Sequence, residues 1–186
     1  MQGVKYLGEM LTPDMADYAS DPQQDQSLNT NPNDVRKIIY GKALVGGKIV
    51  GYAKPTIGDE DYHIMVLHLV GHPCDSVDLY EIEGKTASEL AGKVTVNKHL
   101  GDQTTVDTLA NRYVDGWTSE HIGKNQTYVT LKIPVDDELF PGGVNEIKFI
   151  VKGHKVYDPR KDDTVGGVGD HRYDDEASWE WSDNPE

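Results

Sequence analysis

From Val35 to Tyr157 the chain is cut by glycine and proline into short pieces, many of which carry β-branched residues at alternating positions. A period of two places such side chains on one face of an extended strand, so the fold is restricted to short strands joined by turns. The strand candidates are Val35–Val45, Lys48–Ala53, His63–Val70, Ser76–Glu83, Lys93–Lys98, Thr127–Ile133, Asn145–Lys152 and His154–Tyr157. The breaks are explicit: Gly71-His72-Pro73, Gly84, Pro141-Gly142-Gly143 and Gly153. His63–Val70 is almost continuously apolar, the pattern of a strand covered on both faces. Gly46-Gly47, between the first two candidates, predicts a tight hairpin whose turn needs positive φ. Only Thr105–Tyr113 reads as helix, with Val106, Leu109 and Ala110 on one face. The expected fold is therefore mainly β: an antiparallel β-sandwich-like domain over residues 35–157, with one short helix.

The two ends depart from this pattern and predict irregular N- and C-terminal arms. In residues 1–34, Val4, Leu7 and Leu11 have helical spacing, but Gly3 and Gly8 weaken it and Pro13 ends it. Residues 21–34 (DPQQDQSLNTNPND) hold almost nothing apolar and cannot offset chain entropy by burial, which predicts a linker or extended arm. Residues 158–186 carry ten acids against three bases, a net −7 that is half of the whole chain's −14. Yet this acidic arm also contains Tyr173, Trp179 and Trp181, and each large side chain gains roughly 1.5–3 kcal/mol by burial. The expectation is an arm anchored at Val156–Asp158 and Trp179–Trp181, with Thr164–Asp170 loose on the surface.

The charge excludes whole classes of function. A chain with 18 Lys+Arg against 32 Asp+Glu repels phosphate, so duplex DNA binding is not expected. A lone cysteine, Cys74, excludes an internal disulfide and a cysteine-based metal cluster. No apolar run reaches the ~18 residues of a spanning helix, so no membrane insertion is expected. His63 and His68 point to opposite faces of an extended strand and, with His72, lack zinc spacing. Cys74 has no adjacent base to activate it, and there is no G-x-S-x-G elbow. Asp158, Asp162 and Asp163 could offer oxygens to Ca²⁺, but DPRKDD is not an EF-hand loop, and a solvated acidic loop is the better reading. The glycines at 166–169 are not followed by the Lys-Ser/Thr of a phosphate cradle. No catalytic residue, cofactor site or metal site is expected, and the chain reads as a non-enzyme.

Several segments, in order, carry a resemblance. IKFIVKGHKVYDPRKD (147–162) followed by WEWSDNP (179–185) resembles a segment of the tail hub, or tip attachment, proteins of long-tailed phages, the lambda-type host-specificity proteins and their prophage relatives. The family pattern is a strand leading into G-x-K-V-Y-D-P-R, then a variable acidic, glycine-rich loop, then W-S-D-N-P. Here its positions fall on Gly153, Tyr157, Asp158, Pro159, Arg160, Trp181, Asn184 and Pro185, with Trp179 two residues ahead. YGKALVGGKIV (40–50), YHIMVLHLVGHPCDSVDLYEIEGK (62–85), VNKHLGDQTTVD (96–107) and PVDDELFPGGVNEIKFIVKG (134–153) are similar to earlier family segments. In the family an apolar helix follows the Asn-Pro, whereas this sequence stops at Glu186, so it is expected to be a piece of a longer polypeptide or a small relative.

The resemblance implies a structural part of a virion tail tip, made in the bacterial cytoplasm. It would sit among other tail proteins in a homotrimeric hub that closes the tail tube and joins it to receptor-binding parts. The acidity suits a wall that DNA must pass. The competing expectation is a carbohydrate- or receptor-binding β domain using Trp117, Trp179 and Trp181 as stacking residues. The WEW spacing puts the last two on one strand face, where burial would mark them as docking anchors.

Overall fold

The computed structural model describes Leu28 and residues 35–181. Nine strands and one helix follow in order: β1 (Lys42–Val45), β2 (Lys48–Ala53), β3 (Thr56–Ile57), β4 (Glu60–Val70), β5 (Ser76–Ile82), β6 (Lys85–Thr86), β7 (Thr95–His99), α1 (Thr108–Tyr113), β8 (Thr127–Pro134) and β9 (Ile147–Lys152). They form two antiparallel sheets, β1-β9-β5-β6 and β2-β4-β8-β7, with β3 paired to the start of β4.

Alternation determines what lies between the sheets. On β9, Ile147, Phe149 and Val151 are buried while their neighbours are half exposed. These three meet Val77 and Ile82 of β5, Met65, Leu67 and Leu69 of β4, and Val129, Leu131 and Ile133 of β8 in one continuous core. Full burial of each large aliphatic contributes roughly 1.5–3 kcal/mol, so this layer is the main stabilising term. The opposite face of the second sheet is covered too. Ile64, Val66 and Tyr128 pack there against Ala110 and Val114, with Trp117 partly buried beside them. Coverage from both sides explains the unbroken apolar run of β4.

The Gly46-Gly47 hairpin does not form. β1 pairs with β9 (Lys42 opposite Lys152) and β2 with β4 (Lys48 opposite His68), so the two glycines carry the chain from one sheet to the other. Neither has positive φ. The requirement for glycine is steric instead: a Cβ at Gly47 would stand 2.8 Å from Leu67 Cβ and 3.2 Å from Leu69 Cδ2. Gly47→Val is therefore still expected to destabilise, by about 1–3 kcal/mol through overpacking, as a lowered urea midpoint. A midpoint equal to the parent's would remove this account of the crossing.

Other boundaries move as well. Of Val35–Val45 only the last four residues are strand, because residues 35–41 bond along the ends of other elements. Gly71 N–H donates to Lys37 O, His154 N–H to Ile39 O, and Gly41 N–H to His154 O. Ile39 and Gly41 of that stretch are buried, while Val35 and Ile38 are exposed. His154–Tyr157 likewise reduces to isolated bridges, Tyr40 to His154 and Val156 to Glu180. The helix begins later than expected, at Thr108, because Asp107 caps it. Leu28, inside the expected N-terminal arm, packs against the main core.

Candidate functional site

The motif residues gather where β9 ends. Gly153 lies flat against the incoming chain: its N–H donates to Gly41 O at 2.9 Å, and a Cβ would stand 2.1 Å from Ile39 O. No side chain fits there. Its carbonyl accepts the indole N–H of Trp181 at 3.1 Å, which ties the far end of the arm to the sandwich. Asp158 has extended backbone and caps a 3-10 turn over Pro159–Lys161, where proline supplies the preset φ of the first position. Its carboxylate accepts from Arg160 N and, through both oxygens, from the Arg160 guanidinium. The side-chain bonds from Arg160 come first in holding the Asp158 carboxyl below its ordinary range.

The centre of the arm is a residue outside the motif. Asp162 is buried, accepts Tyr157 O–H at 2.8 Å and both the N–H and O–H of Thr164, and lies 3.3 Å from Arg172 Nη1. Led by the Thr164 hydroxyl, these donors hold its carboxyl below the usual value. Thr164–Asp170 is largely exposed, and hydrogen bonds tie it to the turn before it: Gly167 N–H donates to Asp162 O and Val168 N–H to Arg160 O, both at 2.8 Å. Gly167 and Gly169 allow that approach, since a Cβ at either would meet backbone within 2.7 Å.

Both arm tryptophans are half buried, each with its indole N–H spent on a backbone carbonyl: Trp179 on Arg172 and Trp181 on Gly153. Trp179 also sits 6.1 Å from the Tyr157 ring, and Lys152 and Lys155 lie over Trp181. One side of Trp179 lines an open groove of about 590 Å³ with Tyr40, His154, Lys155 and Glu176. Trp117 belongs elsewhere, to the cluster under α1 beside His121 and Tyr128, so the three tryptophans form no common platform. Asn184 and Pro185 lie outside the described residues.

The aspartates weighed for Ca²⁺ face cations already. Arg160 holds Asp158, and Arg172 reaches both Asp162 and Asp163. Among the described residues no group of three or more His, Cys, Asp or Glu is placed to hold a metal ion. Chelator is expected to leave the melting temperature unchanged; a drop restored by Ca²⁺ would reverse that expectation. Burial pushes the Cys74 thiol up, which disfavours the reactive thiolate.

A polar network that the sequence reading missed lies under the start of α1. Asp107, 2% exposed, accepts from Ala110 N (2.8 Å), Asn97 Nδ2 (2.8 Å) and His99 Nε2 (2.9 Å). The His99 ring stacks on Tyr128, centroids 4.3 Å apart. Burial alone would push the Asp107 carboxyl up; the bonds from His99, Ala110 and Asn97 outweigh it and hold the group below the ordinary range. Burial, with the Asp107 charge, pushes the Tyr128 phenol up to about 12, so it remains a donor, to Ile122 O. An aspartate just before a helical pattern is an N-cap signal and could have marked this residue. Among the described residues no hydroxyl or thiol hydrogen-bonds to His99.

A family model described as Ubiquitin-2 like Rad60 SUMO-like matches residues 5–78, less than half of the chain. The described part of that stretch contains β1 to β4 and the start of β5, distributed over two sheets, and no helix. No curated protein matches the chain. Among solved structures, a chain from the "Virion of native gene transfer agent (GTA) particle" is similar over 70% of this chain, with a TM-score of 0.56 and 16% identity. The match takes in 29% of that longer chain, so this chain spans less than a third of its length. At that identity the likeness is one of fold: the two-sheet architecture described above recurs inside a chain of a virion particle.

Proposed function

We propose that this chain is a structural virion component, a β module of a phage or prophage tail tip hub. In that role it helps to close the tail tube and connects it to receptor-binding parts during adsorption and DNA delivery. The observation that carries this reading is the fold likeness to part of a virion chain, joined to the run of tail-hub motifs between residues 40 and 185. The arm supports it. Gly153, Tyr157, Asp158, Pro159, Arg160 and Trp181 tie the arm to the end of β9, as a connector between modules requires. On this reading the chain works without a cofactor, among other tail proteins, as one of three copies in the hub. The location is the tail tip. Gold-labelled antibody against the full chain should mark the distal end of tails released from the bacterium that carries the gene. Label on heads, or particles lacking the protein by mass spectrometry, would overturn the assignment. With −14 per chain, no duplex DNA binding is expected at physiological salt, and a submicromolar gel shift would contradict the wall role.

One observation keeps a second reading in play: Trp179, though anchored, also lines the open groove with Tyr40 and Lys155. A carbohydrate or receptor group stacked there would engage Trp179 alone of the three tryptophans. Quenching of Trp179 fluorescence by cell-surface glycan, absent in Trp179→Phe, would favour it.

A further inference from the structure

Where the chain enters the sandwich, one histidine is held in a single protonation state by its two neighbours. The His72 Nδ1 is 2.7 Å from Pro73 O, a carbonyl that can only accept, so this nitrogen carries the proton. Its Nε2 is 3.0 Å from the Ile39 backbone nitrogen, an N–H that can only donate, so this nitrogen must keep its lone pair. Both contacts are satisfied only by the neutral ring. Protonated at Nε2, His72 would set two N–H groups head to head and leave the Ile39 N–H without an acceptor.

The contact is well placed to matter. Ile39 is the single buried side chain among residues 35–41. Other ties of that stretch include backbone bonds to Gly71, Gly153 and His154. The His154 ring stacks on His72, centroids 4.1 Å apart and planes within 18°, so a second imidazole opposes a charge on the first. The remaining groups facing the ring are the Cys74 thiol, 4.0 Å from Nδ1, and Thr127, whose hydroxyl donates to the His72 carbonyl. Tyr40 lies behind His154, and Arg36 lies against the adjoining Gly71. Among the described residues no carboxylate pairs with the ring to stabilise its charged form.

We infer that His72 is an acid-sensitive clasp, which fastens the Ile39 backbone to the body while neutral and loosens it there when protonated. Burial pushes the His72 ring below its ordinary value, against the pull of the Pro73 carbonyl, and His154 adds to the lowering. The unfolded chain therefore binds the proton more readily than the folded one. The clasp is complete above the unfolded value of about 6.5 and is lost as pH falls through the lower folded value.

The test is amide hydrogen exchange on the full chain by NMR, corrected for intrinsic rates, with the imidazole titration followed in parallel. Between about pH 7.5 and about pH 5 the Ile39 amide should lose roughly tenfold in protection, the worth of one hydrogen bond, in step with His72. The Phe149 amide, in the middle of β9, should not change. His72→Phe should expose Ile39 equally at both pH values. His154→Phe keeps a stacked ring without a titrating group and should retain the pH dependence. An Ile39 amide equally protected at both pH values, or a pH dependence that survives in His72→Phe, overturns the inference.

Discussion

Gly153→Ala is expected to destabilise the protein by about 3 kcal/mol or more, or to prevent its accumulation in soluble form. The added carbon would stand 2.1 Å from Ile39 O, and that neighbour is backbone, with no rotamer to give way. Relief requires residues 39–41 to part from 153–154, which breaks the bonds Gly153 to Gly41 and His154 to Ile39 together. It also moves the carbonyl that holds Trp181. Gly142→Ala is the matched control: open space surrounds that position and its φ is not positive, so a change within about 0.5 kcal/mol is expected. Urea unfolding followed by tryptophan fluorescence reads both. Equal midpoints for the two variants would show that strand β9 does not need glycine at its end.

Asp107→Ala is expected to cost about 2–4 kcal/mol, from the lost helix cap and the lost hydrogen bonds to a buried carboxylate. The loss has three parts that act at one point. α1 loses the acceptor for Ala110 N–H, and Asn97 and His99 lose the carboxylate they share beneath the helix. Asp107→Asn keeps an oxygen for the cap but not the charge, and should fall between the parent and the alanine variant. Because the folded Asp107 carboxyl is held below its ordinary value, its contribution is present above the unfolded value of about 3.9 and disappears as pH falls through the folded one. Parent and Asp107→Ala should therefore converge in stability in acid. A difference that stays constant down to about pH 2 would mean that the charge plays no part.

The parts legible in the sequence were those governed by nearest neighbours along the chain. The continuous run of β4 announced a strand covered twice, and α1 and the Pro141-Gly142-Gly143 turn announced themselves by spacing and φ requirement; Gly143 does take positive φ. Gly46-Gly47 misled because two different demands select the same residue. A hairpin turn needs glycine for φ, and a strand crossing under Leu67 needs it for space; only the partners of β1 and β2 decide between them. Tyr157, Asp158 and Arg160 could be singled out as motif positions, but Asp162 was weighed only as an oxygen donor for Ca²⁺, since its role at the centre of the arm depends on Arg172 arriving from ten residues away. Asp107 offered a cap signal ahead of the helical pattern, but the network beneath it was not legible, because Asn97 and His99 come to face it only in the folded sheet.

Strand β9 has a consequence for how the chain is made. It occupies the middle of the first sheet, between β1 and β5, yet among the described strands it is the last to be synthesised. Until residue 152 has left the ribosome, β1 has no partner among the described strands and β5 has only the two-residue β6. Val45, Val77 and Ile82 must wait for Ile147, Phe149 and Val151 to complete their layer. Translation thus holds one half of the sandwich open until β9 emerges, with two unsatisfied strand edges exposed to any other nascent copy on the same message. Closure by β9 is a single late event, and the same residues that then stabilise the native state are the ones most prone to pair wrongly before it.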